Sequence, residues 1–153
     1  MSTAGAGYRI QLPSIRWPES AALQEVAPWE TMQRRKAVEK IGRYFRREFR
    51  YDFIPYSAHD PGDNEVAFLW LQEDWDWQGK RMVAYGACAF DQWADGWCLA
   101  WVWFHPYERG RGHLSEAWPY FQRRFGDFFL QEPISIGMHE FLRRRAETRS
   151  IRS

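Results

Sequence analysis

The chain contains few of the features that mark exported or membrane-spanning proteins. It has only two cysteines, Cys88 and Cys98, which lack the spacing of metal ligands, so packing in the core is the favoured interpretation of both. Its longest apolar run is the eight residues 97–104, whereas a spanning helix needs roughly 20. The start, "MSTAGAGYRI", has no charged segment followed by an apolar one. We therefore expect a cytoplasmic protein with no disulfide, no metal site and no membrane association.

Aromatic side chains, in contrast, are abundant. They make up 18% of the 153 residues and include ten tryptophans. Each buried ring removes about 150 to 250 Å² from water, so aromatic burial should dominate the core. The length is that of one domain. We predict a single domain over residues 1–146, with residues 1–30 as an N-terminal arm and residues 147–153 as a flexible basic tail.

The charges are unevenly distributed although the net charge is only +1. Residues 33–50 hold eight Lys or Arg against two Glu, and residues 51–104 hold nine acids against two bases. The pattern predicts one basic and one acidic face. A basic helical segment of this kind fits a solvated helix face, a phosphate-bearing cofactor or a nucleic acid, and the three interpretations remain open.

The first two thirds of the chain read as an arm, a helix and three strands. A short strand is possible at "YRIQLP", residues 8–13, and apolar spacing predicts an amphipathic helix over residues 31–48. Residues 65–72 and 81–90 are rich in β-formers and predict an antiparallel hairpin, with "EDWDWQGK" as a longish loop. Residues 97–104 form the third strand, whose alternation places Trp97, Trp101 and Trp103 on one face.

The last third predicts a helix, a strand and a helix. The first of these helices contains Pro119, which should kink or shorten it. "DFFLQ" predicts a buried strand, and Ser135 caps a final helix, with fraying from Arg143 onward. The order predicts an α+β fold, a mixed α/β sandwich with a mostly antiparallel sheet flanked by helices and one crossover.

The segment "ERGRG" lies where the third strand gives way to a helix. Glycines at such a junction allow conformations that a Cβ forbids, and the first N–H groups of the following helix point outward. With the helix dipole and the charges of Arg109 and Arg111, the segment predicts a cradle for an anion such as pyrophosphate. The nucleotide P-loop pattern is absent. A dinucleotide fingerprint is only partly matched, since its third glycine is Ser115 and no series of βα units precedes it.

The stretch "WVWFHPYERGRGHLSEAW" resembles the acyl-CoA binding segment of the GNAT superfamily of acyl-CoA-dependent N-acyltransferases. That signature is Arg or Gln, two residues, Gly, one residue, then Gly or Ala; Arg109 and Gly112 match it, and Leu114 stands at the small position. The resemblance implies a GNAT-like fold and an N-acetyltransferase that moves an acetyl group from acetyl-CoA to an amine. It also implies a cofactor site formed by Trp103, Phe104, His105, Arg109, Gly110, Arg111, Gly112, His113 and Leu114.

The sequence departs from the family at its C-terminal end. A tyrosine on the last helix commonly protonates the departing thiolate in this family, but "SIGMHEFLRR" contains none. The chain is also C-terminally shortened, so the N-terminal arm or a second subunit in a homodimer would complete the acceptor side.

Acyl transfer to an amine needs a base and a hydrogen-bond donor for the thioester carbonyl. A strand N–H can supply the donor. His105, Glu108 and His139 are the candidate catalytic residues, with Asp91 and Glu132 as further possibilities for the base. Two of the histidines have ordinary alternatives, because His105 can be hydrogen-bonded in the turn before Pro106 and His139 can face solvent.

Three tryptophans, Trp75, Trp77 and Trp93, are predicted to lie in loops. We expect them to line an acceptor groove in which nearby acids attract a cationic amine. Those acids are Asp74, Asp76, Asp91 and Asp95.

A different class of function also fits the sequence. The missing tyrosine, the short C-terminus and the basic segments at residues 33–50 and 143–152 are compatible with a catalytically inactive binding module for nucleic acid or an acidic partner.

Overall fold

The structure, a computed structural model, describes residues 9–18, 21–131 and 135–152, and the side chains of residues 147–152 lie outside that description. The elements follow in the order β1 (Ser14–Ile15), β2 (Leu23–Val26), α1 (Met32–Phe49), β3 (Glu65–Asp76), β4 (Gly79–Trp93), β5 (Gly96–Phe104), a 3₁₀ turn (Pro106–Glu108), α2 (His113–Phe125), β6 (Phe129–Leu130) and α3 (Ile136–Arg152).

The strands form one open sheet in the order β2-β3-β4-β5-β6, with β1 also paired to β4. All pairs are antiparallel except β5 with β6, which the crossover through α2 makes parallel. The prediction of a mixed α+β fold with a mostly antiparallel sheet is confirmed.

Helix α1 begins and ends where its sequence predicts. The Thr31 side chain accepts a hydrogen bond from the Arg34 N–H at the start, and Arg50 adopts the left-handed conformation (φ 56°) at the end. Val38, Ile41 and Phe45 bury one side of the helix against the sheet.

Two apolar clusters cover the two faces of the sheet. The α1 face includes Val38, Ile41 and Trp101, and the α2 face includes Phe68, Phe90 and Phe121. Cys88 is buried in the α2 face and Cys98 is buried as well, which agrees with core packing for both thiols.

The hairpin is longer than predicted. Strands β3 and β4 remain paired as far as Asp76 and Gly79, so the loop expected at "EDWDWQGK" is a two-residue turn and the prediction of a long loop is wrong. Ion pairs between Lys80 and Glu73 (3.2 Å) and between Arg81 and Asp76 (3.0 Å) hold the polar residues in a two-stranded ribbon.

The prediction that Trp97 shares a face with Trp101 and Trp103 is wrong, because β5 contains a β-bulge. Ala89 pairs with Trp101 and Phe90 with Leu99, so Ala100 has no counterpart on β4. The extra residue interrupts the alternation of side chains. Trp101 and Trp103 therefore pack on the α1 face, whereas Trp97 packs on the α2 face. A second irregularity leaves Tyr85 of β4 unpaired with β3.

The N-terminal arm also differs from prediction. Residues 9–13 form no strand, and β1 follows them because Pro13 O accepts from the Ala84 N–H and brings Ser14 and Ile15 into register with β4. The edge strand β2 carried no recognisable pattern. Tyr8 lies outside the described residues.

Helices α2 and α3 both extend further than expected. Helix α2 continues through Pro119 to Phe125, so it is not shortened, and α3 continues to Arg152 through the segment predicted to fray. Ser135 caps α3 by accepting from the Met138 N–H at 3.1 Å, as predicted. Among the described residues, no helix combines the length and hydropathy needed to cross a bilayer.

Candidate functional site

The glycine turn joins the end of β5 to the start of α2. Gly110 (φ 75°) and Gly112 (φ 86°) both adopt left-handed conformations, and a Cβ added at either would meet no atom within 4 Å. The glycines are therefore needed for the shape of the turn and not for close packing. Their backbone is left open on its outer side.

The backbone N–H groups of this turn are available to a ligand. The first hydrogen bond of α2 runs from the Glu116 N–H to Gly112 O (2.9 Å), so the amides of His113, Leu114 and Ser115 precede it. Within the described part of the chain, none of the N–H groups of Gly110 and residues 112–115 donates to a protein acceptor. We call residues 110–115 the cradle; its geometry suits an anion.

Arg109 turns away from the cradle. Its Nε donates to Phe104 O (2.9 Å), and its two terminal nitrogens donate to the Glu48 carboxylate at 2.8 and 2.6 Å. Glu48 also accepts from Trp103 Nε1 at 2.8 Å, and the hydrogen bonds from Arg109 lower the pKa of Glu48. Arg109 was expected to add charge to the cradle, but it ties the turn to α1. Arg111 is exposed beside the amides.

His113 fastens the other side of the turn. Its Nε2 lies 2.9 Å from Glu108 Oε1, and its Nδ1 lies 3.4 Å from the Tyr85 hydroxyl. Its ring also packs against Tyr85 and stacks on Phe104. Burial raises the pKa of Tyr85 to about 12, so the hydroxyl stays protonated at neutral pH. These contacts attach the start of α2 to β4 at its irregular residue.

Among the residues that the structure describes, one edge of β5 is open beyond its first residues. Within that part of the chain, strand β6 pairs with β5 at Cys98 and Leu99, and Gln131 then donates to Leu99 O (3.0 Å). The His105 N–H donates to Tyr85 O on β4, so by alternation the backbone groups of Val102 and Phe104 point away from β4. This part of β5 presents an edge for an extended ligand.

A cleft of about 140 Å³ lies beside this edge. Residues 99–102 of β5 form one wall, and the end of α1, β6 and the start of α3 form the others. Its apolar lining from those elements is Phe45, Phe49, Leu130 and Met138. Tyr51, Gln131 and Ser135 contribute polar groups. Burial raises the pKa of Tyr51, so its hydroxyl stays protonated at neutral pH.

The three predicted catalytic residues lie outside the cleft lining. His105 caps the 3₁₀ turn by accepting from the Tyr107 N–H (3.1 Å), Glu108 contacts His113, and His139 is exposed on α3. The structure brings Glu108 next to the cradle but places none of the three against the cleft. Glu132 lies outside the described residues.

Two carboxyl groups lie opposite each other on neighbouring strands of the sheet. Glu65 of β3 is the register partner of Asp91 of β4, and the two side chains share a hydrogen bond. Burial, then the Asp91 charge, raises the pKa of Glu65 to about 8, and burial raises the pKa of Asp91. The pair therefore holds a proton at neutral pH. Asp91 was a candidate base; its partner was not anticipated, because pairing depends on the hairpin register.

The predicted groove of tryptophans does not form. Trp75 lies opposite Lys80, Trp77 is in the turn, and Trp93 lies at the far end of β4. Twelve residues of β4 lie between Lys80 and Trp93, which corresponds to about 40 Å along the strand. Two of the three tryptophans are strand residues, so the prediction of one loop-built groove is wrong.

No protein-family model matches this chain, and no curated protein matches it.

Proposed function

We propose that this protein is an acyl-CoA-dependent N-acyltransferase that transfers an acyl group, in the simplest case acetyl, directly to an amine. The observation that carries the proposal is the cradle of unpartnered amides at the start of α2, placed at the end of the open β5 edge that leads to the cleft. An acyl-CoA consists of a diphosphate, an amide-containing arm and an acyl group. The cradle, the β5 edge and the cleft would bind these three parts in that order.

The residues of the site fit those parts. The N–H groups of the cradle would hold the diphosphate, with Arg111 adding charge. The backbone of Val102 and the Phe104 N–H would pair with the amides of the pantetheine arm, as an added strand pairs with a sheet edge. Leu114 does not obstruct the cradle, because its side chain packs against the α2 face.

The donor supplies a thioester, whose C–S bond breaks as a C–N bond to the amine forms. The amine must lose one proton and the departing thiolate must gain one. The Tyr51 hydroxyl, which lies in the cleft lining, would protonate the thiolate in place of the tyrosine absent from the last helix. His105, Glu108 and His139 remain predictions for the base, since their side chains lie outside that lining.

Coenzyme A binding tests the cradle directly. Free CoA should raise the melting temperature by about 5 to 10 °C at about 100 times its Kd. Gly112→Asp should abolish this shift by placing a carboxylate among the amides. Gly112→Asn is the matched control, because asparagine has the same shape as aspartate and meets the same positive φ (86°) but adds no negative charge. The absence of a shift at millimolar CoA would contradict the proposal.

The alternative of a nucleic-acid binding module receives less support. Several side chains of the basic segment are engaged within the protein: Arg34 pairs with Glu30 (2.9 Å), Arg35 donates to Glu30 O (2.8 Å), and Arg46 donates to Tyr51 O (3.1 Å). Thiol release from acyl-CoA with pooled amines would favour the enzyme. Salt-dependent retention on nucleic acid without turnover would favour the module.

A further inference from the structure

The cleft beside β5 is too large and too apolar for an acetyl group. It measures about 140 Å³ and is bounded mainly by the side chains of Phe45, Phe49, Trp101, Leu130 and Met138. An acetyl group would place one methyl in this space. Most of the apolar wall would then stay exposed to water, and the burial that a longer chain offers would be missing.

The lining also indicates which part of the reaction the cleft serves. Its described side chains include no Asp, Glu, Lys, Arg or His. Against these described side chains a cationic amine would lose hydration without gaining a counter-charge from them, and a polar pantetheine arm would find few partners. An apolar chain is the ligand that such walls favour.

The volume sets the length of that chain. An apolar cavity of about 150 Å³ lined by aliphatic and aromatic side chains binds a six-carbon guest such as benzene. We propose that the cleft binds the acyl chain of a medium-chain acyl-CoA, about four to eight carbons long, in preference to an acetyl group. This inference rests on the proposed function and narrows its donor to one substrate class.

Two substitutions change the cleft in opposite directions. Met138→Trp, on α3, should fill it, and Phe49→Ala, at the end of α1, should enlarge it. Ile136→Trp is the control for an added indole, because Ile136 is 84% exposed on α3 and does not line the cleft.

Calorimetric titration without an acceptor amine provides the measurement. The ligands are free CoA and acetyl-, butanoyl-, hexanoyl- and octanoyl-CoA. Each methylene beyond acetyl should lower Kd about fourfold until the cleft is full near six carbons. Met138→Trp should remove this gain, so that its Kd values for acetyl-CoA and hexanoyl-CoA become equal. Phe49→Ala should move the optimum to a longer chain, and Ile136→Trp should match the wild type.

The outcomes separate this inference from the proposed function. If free CoA and every acyl-CoA bind equally well, or if affinity falls with chain length, the chain-length inference is overturned and the acyltransferase proposal stands. If neither CoA nor any acyl-CoA binds, both are overturned. A gain with chain length that survives Met138→Trp would place the chain outside this cleft and also overturn the inference.

Discussion

At each end of the sheet a glutamate pairs with a basic side chain, but the two ion pairs connect different kinds of elements. At the cradle end, Glu48 binds Arg109 and Trp103, and so joins α1 to a turn 61 residues further along the chain. At the hairpin end, Lys80 pairs with Glu73 across a two-residue turn. The first pair positions two distant elements, whereas the second only supports a ribbon whose register is already set by its backbone.

An ion pair that joins elements far apart in the sequence should contribute more to the stability of the fold than one within a hairpin. The cradle end also contains a close approach of backbone to ring, since Gly86 of β4 lies under Phe104. The hairpin end ends in Trp77, which is 90% exposed. Substitutions at the cradle end should therefore affect the whole fold, and those at the hairpin end should remain local.

Gly86→Ala should have the largest effect. The added Cβ would lie 2.5 Å from Phe104 Cδ1 and 3.2 Å from Trp103 O, so the ring and strand must shift. We expect the free energy of unfolding to fall by about 3 kcal/mol in urea denaturation. Phe104→Leu in the Gly86→Ala background should recover part of this loss. Additive losses in the double variant would show that the ring is not the obstacle.

The paired substitutions Glu48→Gln and Glu73→Gln test the comparison itself. Glu48→Gln should cost about 1 to 2 kcal/mol, because it weakens charged hydrogen bonds to Arg109, whereas Glu73→Gln should cost less than about 0.5 kcal/mol. The pKa of Glu48 is lowered, so its contribution is present above the ordinary value of 4.5 and is lost as the pH falls below it. The difference between wild type and Glu48→Gln should therefore shrink in acid. Equal losses of unfolding free energy in the two variants would contradict the expected difference between the two ion pairs.

The carboxyl pair should give the opposite dependence on pH. The pKa of Glu65 is raised from 4.5 to about 8, so its stabilising contribution is full below 4.5 and is lost as the pH rises toward 8. Between about pH 5 and pH 8 the wild type should lose at least ~1 kcal/mol relative to Glu65→Gln, which stays neutral. Asp74→Asn, exposed on the same strand, is the control and should follow the wild-type profile. A flat difference would show that the pair shares no proton.

Trp77→Ala should have the smallest effect. The side chain is at the exposed tip, so stability should change by less than about 0.5 kcal/mol and CoA binding should not change. A loss of CoA affinity with normal stability would connect the hairpin to the ligand site and end the contrast between the two regions.

The sequence predicted the features whose signals are local. The spacing of Val38, Ile41 and Phe45 predicted α1, and Gly110 and Gly112 predicted an open turn at a helix start. The partners of that turn could not be predicted, because Glu48 and Tyr85 reach it only through the fold. Ala100 was missed for a similar reason: a bulge is defined by its neighbouring strand, and it reversed the face assigned to Trp97.

The ion pair between Glu48 and Arg109 links the position of the cradle to the position of the cleft. Glu48 and Phe49 are consecutive at the end of α1, and Phe49 lines the cleft while Glu48 holds the turn that leads to the cradle. One helix end thus fixes the distance between the turn that leads to the cradle and one wall of the cleft. A shift of that helix end would therefore move the turn and the cleft wall at the same time.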